Sequence, residues 1–174
     1  MYRDVLAVIK SFYRMSMLSP ALRLMYLGRG NAAYFLKMLA EPLDVDLSNL
    51  MCSDNSLTFG VLNAALPIAN YLDLRRRGFD VSALRYEDLV ARPLDMCRVV
   101  LEFCHLPVSL AELAVKAFDV DSQANSTLAK SAIGHFKEPQ LTPQIKTKLN
   151  EILKQLGVPL IGEPGIVEGT LSCC

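Results

Sequence analysis

Apolar side chains at Val5, Val8, Ile9, Phe12 and Tyr13 recur at intervals of three and four. That spacing predicts an amphipathic helix from Asp4 to about Met15, with Asp4 as its N-cap. Pro20 opens a second expected helix through Tyr26, stopped by Gly28 and Gly30, and Asn31 caps a third to about Ala40, ended by Glu41-Pro42. After a polar loop at Ser53-Asp54-Asn55, the longest helical pattern runs from Leu57 to Arg77, bent at Pro67. Its end, Arg75-Arg76-Arg77-Gly78, places cations at the negative pole of the helix dipole. Phe79 to Tyr86 changes character: Val81, Leu84 and Tyr86 favour a β-strand, followed by the polar pair Glu87-Asp88 and the helix start Ala91-Arg92-Pro93. Leu94 to Cys104 is helical in pattern, with Met96, Val99, Val100 and Phe103 on one face and Leu106-Pro107 as the stop. Ser109 and Glu112 have capping-box spacing for a helix to about Phe118. A polar stretch from Asp119 to Pro143 precedes a last helix, Pro143 to Leu156, stopped by Gly157, and the Gly/Pro-bearing tail beyond Ile161 is expected to fray. A strand feeding a turn and then a helix is an α/β unit. The expected organisation is an α/β domain over residues 1–162 and a flexible tail over 163–174.

Composition narrows the class. With 174 residues, 52% of them hydrophobic and 21% charged, the chain suits one folded domain and excludes disorder. Eighteen basic residues balance eighteen acidic ones, so no global field draws nucleic acid or anionic lipid, and an anion site must be a local pocket. The most apolar stretch, Leu57 to Ala69, spans thirteen residues and carries Gly60, Asn63 and Pro67; it reads as a buried helix and not as a membrane span. Arg3, Asp4 and Lys10 fall where a secretory signal needs its apolar core, so no targeting segment is expected. The five cysteines show neither CxxC nor Cys/His ligand spacing, which predicts no metal site and no disulfide framework; Cys97 and Cys104 read as small core residues. The Cys173-Cys174 pair leaves lipidation or a bridge between chains as alternatives.

Two places combine residues able to do chemistry. In RDVLAVIKS, Arg3 precedes a helix and Ser11 follows eight positions later, so a bidentate guanidinium and a hydroxyl can grip one phosphate. With ten arginines and twelve serines in the chain, that spacing arises by chance roughly 0.7 times, so alone it specifies nothing. In LRYEDLVARP, Leu84 to Pro93, a strand ends in Tyr-Glu-Asp beside an Arg-Pro helix start; the Tyr86 ring can cover a base or pack in a core. Glu87 and Asp88, adjacent on an extended segment, point to opposite faces and do not form a glycosidase acid pair.

RDVLAVIKSF, followed some seventy residues later by LRYEDLVARPLDMCRVVLEFCHLP, then DSQANSTLAKS and a closing amphipathic helix, resembles the carboxy-terminal portion of a sulfotransferase domain over Arg3 to about Leu160. The resemblance implies a P-loop-like three-layer α/β fold, truncated at its N-terminus and rich in helix. It implies 3′-phosphoadenosine-5′-phosphosulfate (PAPS) as co-substrate, 3′-phosphoadenosine 5′-phosphate as product, and no metal. It assigns the 3′-phosphate to Arg3 and Ser11, the adenine neighbourhood to Tyr86, and a largely structural role to Glu87 and Asp88. The implied reaction moves a sulfuryl group to a hydroxyl or amine acceptor. The wording of both motifs is nearer the carbohydrate-modifying Golgi branch than the cytosolic branch acting on phenols and steroids.

Departures weigh on activity. The family's Gly-rich phosphosulfate loop and its acceptor-activating His or Glu have no counterpart here, so no catalytic residue is assigned. Losing even one oxyanion-type donor costs roughly 10² to 10³ in rate, and the chain by itself is expected to be inactive. Val5 stands where many members have proline, and the Arg-Lys-Gly triplet is missing; Ser122, Gln123 or Lys130 are the candidate substitutes. His105 reads as a helix-end surface residue and His135 as a weak site candidate, while the sequon Asn125-Ser126-Thr127 matters only in a secretory setting. Two other readings stay open. One is a non-catalytic interaction or nucleotide half-site module, self-associating through an exposed sheet edge. The other is a mostly helical structural protein, favoured if Phe79 to Tyr86 proves helical or edge-exposed, with no parallel neighbour.

Overall fold

The computed structural model describes residues 1–18, 23, 31–119 and 134–173. The expected helix at Pro20 to Tyr26 and the residues Ser122, Gln123 and Lys130 lie outside that set, apart from the single residue Arg23. Helix α1, Val5–Ser16, starts where its cap predicts: the Asp4 carboxylate accepts from the Ala7 amide at 2.9 Å. Helix α2, Asn31–Ala40, continues into a 3-10 turn at Glu41–Leu43, and Asp44 then takes a left-handed conformation at φ 54°. Helix α3, Asn55–Arg76, is the longest; Asp54 caps it through the Ser56 amide, and Pro67 sits inside it. Pro67 is exposed, so the carbonyl it leaves without an amide partner lies on the solvent side of the helix.

Ile9, Leu36, Val61, Ala65, Ile68, Leu149, Ile152 and Leu153 form the centre of the core, each essentially sealed from water. They come from α1, α2, α3 and the last helix, here α7, Pro143–Gln155, which Thr142 caps through the Ile145 amide. Gly60 lets α1 and α3 approach: a Cβ there would lie 3.1 Å from the Ile9 Cα and 3.4 Å from the Phe12 Cβ. Phe12 and Phe59 meet edge to face beside this contact, 5.3 Å between centroids.

The predicted α/β architecture is not what forms. Among the described residues there is no β-strand and no sheet, and the molecule is built of helices. Phe79 to Tyr86 is the decisive segment. The Val81 amide turns back on the Phe79 carbonyl at 3.0 Å and the Arg75 guanidinium takes the Val81 carbonyl at 2.9 Å, so these backbone groups are spent before any ladder can use them. Tyr86 does not end a strand; it opens a short helix α4, Tyr86–Ala91. What survives of parallel pairing is a clasp of three lanes. Tyr2 pairs with Arg85 and Ala83 with Thr170, both in parallel sense, through Tyr2 N–H to Leu84 O and Tyr86 N–H to Tyr2 O (2.9 Å each), Ala83 N–H to Gly169 O (3.1 Å) and Leu171 N–H to Ala83 O (2.8 Å). Each pairing lasts one step, too short to make a strand.

Helix α5, Pro93–Phe103, follows Arg92 as expected. The capping box at Ser109 and Glu112 does not form: Val108–Leu110 is a 3-10 turn, α6 covers only Ala111–Val115 with no side-chain cap, and Lys116–Asp119 is again 3-10. Beyond Ile161, where fraying was expected, the chain docks: Val167 is buried, Thr170 joins the clasp, and the Cys173 thiol reaches the sealed Met96 sulfur at 3.1 Å.

Candidate functional site

Alternation along the first lane sorts its side chains: Tyr2 points inward and Arg3 outward. The Val167 amide donates to the Tyr2 hydroxyl at 3.3 Å, and the Thr170 hydroxyl donates to the Val167 carbonyl at 2.6 Å. The remaining contact, 2.9 Å between the Tyr2 and Thr170 hydroxyls, therefore has Tyr2 as donor. This small closed ring fixes the lane. Arg3, on the other side, lies over the Tyr86 ring at 4.7 Å from guanidinium carbon to ring centroid, and among the described residues it has no acidic partner.

The acidic neighbours are held in contacts within the fold. The Asp4 amide donates to Glu87 Oε1 at 3.0 Å, tying the start of α1 to α4. Arg85 lies 3.6 Å from both Glu87 Oε2 and Asp88 Oδ1; the buried Arg85 Nε and Glu87 Oε2 have no hydrogen-bond partner, so they attract through space at a distance too long for a bond.

Of the three residues assigned from sequence, the structure brings two together, Arg3 and Tyr86. Ser11 stands two turns along α1, on the order of 12 Å up the helix axis. It is half-buried, and its hydroxyl has no protein partner among the described residues. Its cationic neighbours on that helix were missed by sequence reasoning: Lys10 Nζ and Arg14 Nη2 hold opposite oxygens of the Glu138 carboxylate at 2.7 and 2.6 Å. The signal was present, since like charges at i and i+4 repel unless something anionic sits between them. These two bonds hold the Glu138 carboxyl below its usual value, the Lys10 bond most of all.

Elsewhere the chemistry is sparse. A cavity of about 350 Å³ at the start of α3 is lined by Ala33, Met51, Cys52, Ser53 and Asn55; a second, about 290 Å³, lies between Arg75, Arg76, Leu156 and Glu168. Neither is lined by Arg3, Ser11 or Tyr86. Burial pushes the Cys52 thiol up, against smaller opposing effects from Thr58 and Lys148. Among the described residues no group of His, Cys, Asp and Glu is arranged to hold a metal ion, and no helix is long and apolar enough to cross a membrane. His105 is exposed at the end of α5 with φ 55°, and His135 packs on Phe136 with centroids 4.1 Å apart. Comparison with models of known families, with curated proteins and with solved structures finds no match to this chain.

Proposed function

We propose that this chain provides a half-site for the nucleotide of PAPS in sulfuryl transfer to a hydroxyl or amine acceptor, carbohydrate being the favoured class. The observation that carries the reading is the meeting of Arg3 and Tyr86, 83 positions apart in sequence, at the mouth of the clasp. Arg3 supplies a guanidinium fork with no acidic partner among the described residues, suited to the 3′-phosphate, and the Tyr86 ring supplies an apolar wall for the attached nucleoside. Glu87 and Asp88 position: one anchors α1, both face Arg85. Stabilising a transferring sulfuryl group takes a phosphosulfate cradle and an acceptor base, which the sequence does not contain, so the half-site binds without turning over by itself. The reading depends on this local pairing and not on a three-layer fold.

Calorimetric titration with 3′-phosphoadenosine 5′-phosphate tests it, with adenosine 5′-phosphate as the control and Arg3→Ala as the variant. Removing the 3′-phosphate or Arg3 is expected to weaken binding at least tenfold, and removing both no further than either alone. Equal affinity for the two nucleotides, or an Arg3→Ala protein that binds as well as the parent, overturns the reading.

A second reading has its own observation. Phe103, Leu106, Val108, Leu110, Leu113 and Phe118 are exposed on neighbouring elements, a concentration of apolar surface that marks an interaction face. An exposed sheet edge, the route to self-association expected from sequence, is not present among the described residues.

A further inference from the structure

A carboxylate clamped by two cations is a chemical sketch of a bound oxyanion. Lys10 and Arg14 lie four apart on one face of α1, with Ser11 beside them; each cation takes a separate oxygen of Glu138, and among the described residues neither has another acidic partner. Two details show that a carboxylate fills this place incompletely. The first is charge: two cations and one carboxylate leave one positive charge uncompensated. The second is geometry. Glu138 takes only Nη2 of Arg14, while among the described residues the buried Arg14 Nε has no hydrogen-bond partner and the Ser11 hydroxyl has none either, so one prong of the guanidinium fork is unused there. A tetrahedral dianion has the oxygens to engage Nε and Nη2 together, to take the Lys10 ammonium and to accept from Ser11.

We propose that Lys10, Ser11 and Arg14 form a seat for a phosphate monoester dianion and that Glu138 is its internal occupant, displaced when the ligand binds. The contact is half-exposed, with Glu138 at 46% of its side-chain surface, and ion pairs of that kind are screened and weak, so exchange is cheap. Tethering on the same chain gives Glu138 a high effective concentration, so it sets a threshold that an external anion must exceed. Ser11, which the structure leaves apart from Arg3 and Tyr86, belongs to this seat, and its argument stands without the nucleotide half-site.

The test is a titration of the full chain with inorganic phosphate at constant ionic strength, followed by ¹H–¹⁵N correlation spectra, on the parent, Glu138→Gln, and Glu138→Gln combined with Arg14→Lys. Glu138→Gln removes an exposed charge in a loop and keeps the shape, and far-UV ellipticity checks each fold. Phosphate is expected to bind Glu138→Gln at least tenfold more tightly than the parent, with shifts centred on residues 10–14. Arg14→Lys, which keeps the charge and loses the fork, is expected to remove most of that gain, and the monoanion methyl sulfate is expected to bind at least tenfold more weakly than phosphate. Unchanged affinity in Glu138→Gln, a gain that survives Arg14→Lys, or equal binding of methyl sulfate overturns the proposal. Shifts confined to Arg3 and Tyr86 overturn the seat while leaving the half-site standing, and nucleotide binding lost in Arg3→Ala without any phosphate effect at residues 10–14 does the same.

Discussion

Gly60 is the residue on which the packing of α1 against α3 turns. Alanine there gains helix propensity, about 0.5–1 kcal/mol, yet its Cβ meets the Ile9 Cα at 3.1 Å, and a backbone atom inside a helix cannot swing aside. Overpacking of this kind costs about 1–3 kcal/mol, so after the propensity gain is subtracted Gly60→Ala is expected to lower stability by about 1 kcal/mol in urea denaturation. The opposite change at the same contact, Ile9→Ala, is expected to cost about 2–5 kcal/mol, since Ile9 is fully sealed. Cys52 offers a pH test. Burial raises its thiol, so the folded state holds the neutral form better than the unfolded chain does. That stabilisation is full below the ordinary thiol value of about 8.5 and shrinks as pH climbs toward the raised one. Alkylation at pH 8 is accordingly expected to mark exposed Cys104 rapidly and Cys52 only on unfolding, as read by peptide mass. At this scale the sequence singled out Arg3 and Tyr86, and the structure shows that the two side chains meet. The sequence was silent on Glu138, because nothing local says which distant carboxylate will fill the gap between Lys10 and Arg14.

Helices are the elements whose reasons lie within themselves, and those were legible. Asp4 caps α1, Pro143 opens α7, Arg92-Pro93 opens α5, and the bounds of α2 match the expected ones, because period and capping are local properties. Asp4→Ala is expected to cost about 1 kcal/mol by thermal melting, through loss of the bond from the Ala7 amide. Phe79 to Tyr86 shows the limit. Its β-prone side chains were read as a strand, but a strand exists only by virtue of neighbours, and Tyr2 and residues 169–171 each give it one step. The Ser109 capping box failed for a related reason: the chain enters α6 from a 3-10 turn, which uses up the geometry a cap requires.

In the whole molecule, Tyr86 to Asp119 packs chiefly on itself, and its buried Met96, Cys97 and Ala111 lie outside the main core cluster. Such a unit opens at lower free energy than the core, so amides of α5 and α6 are expected to exchange with deuterium faster than those of Val61 to Ile68 in α3. Equal protection would show a single cooperative body. The expectation of a layered α/β molecule failed because it rested on one segment forming a strand and recruiting others, and that segment forms none. The clasp has a consequence in time. Its outer lanes, joined by the Tyr2–Thr170 hydroxyl contact, are 168 residues apart, so while the chain is being synthesised the first lane must wait for the last to leave the ribosome before it is locked. Until then Arg3 and Tyr86 have only half of their scaffold, and a nascent chain carries both residues without yet presenting them as a pair.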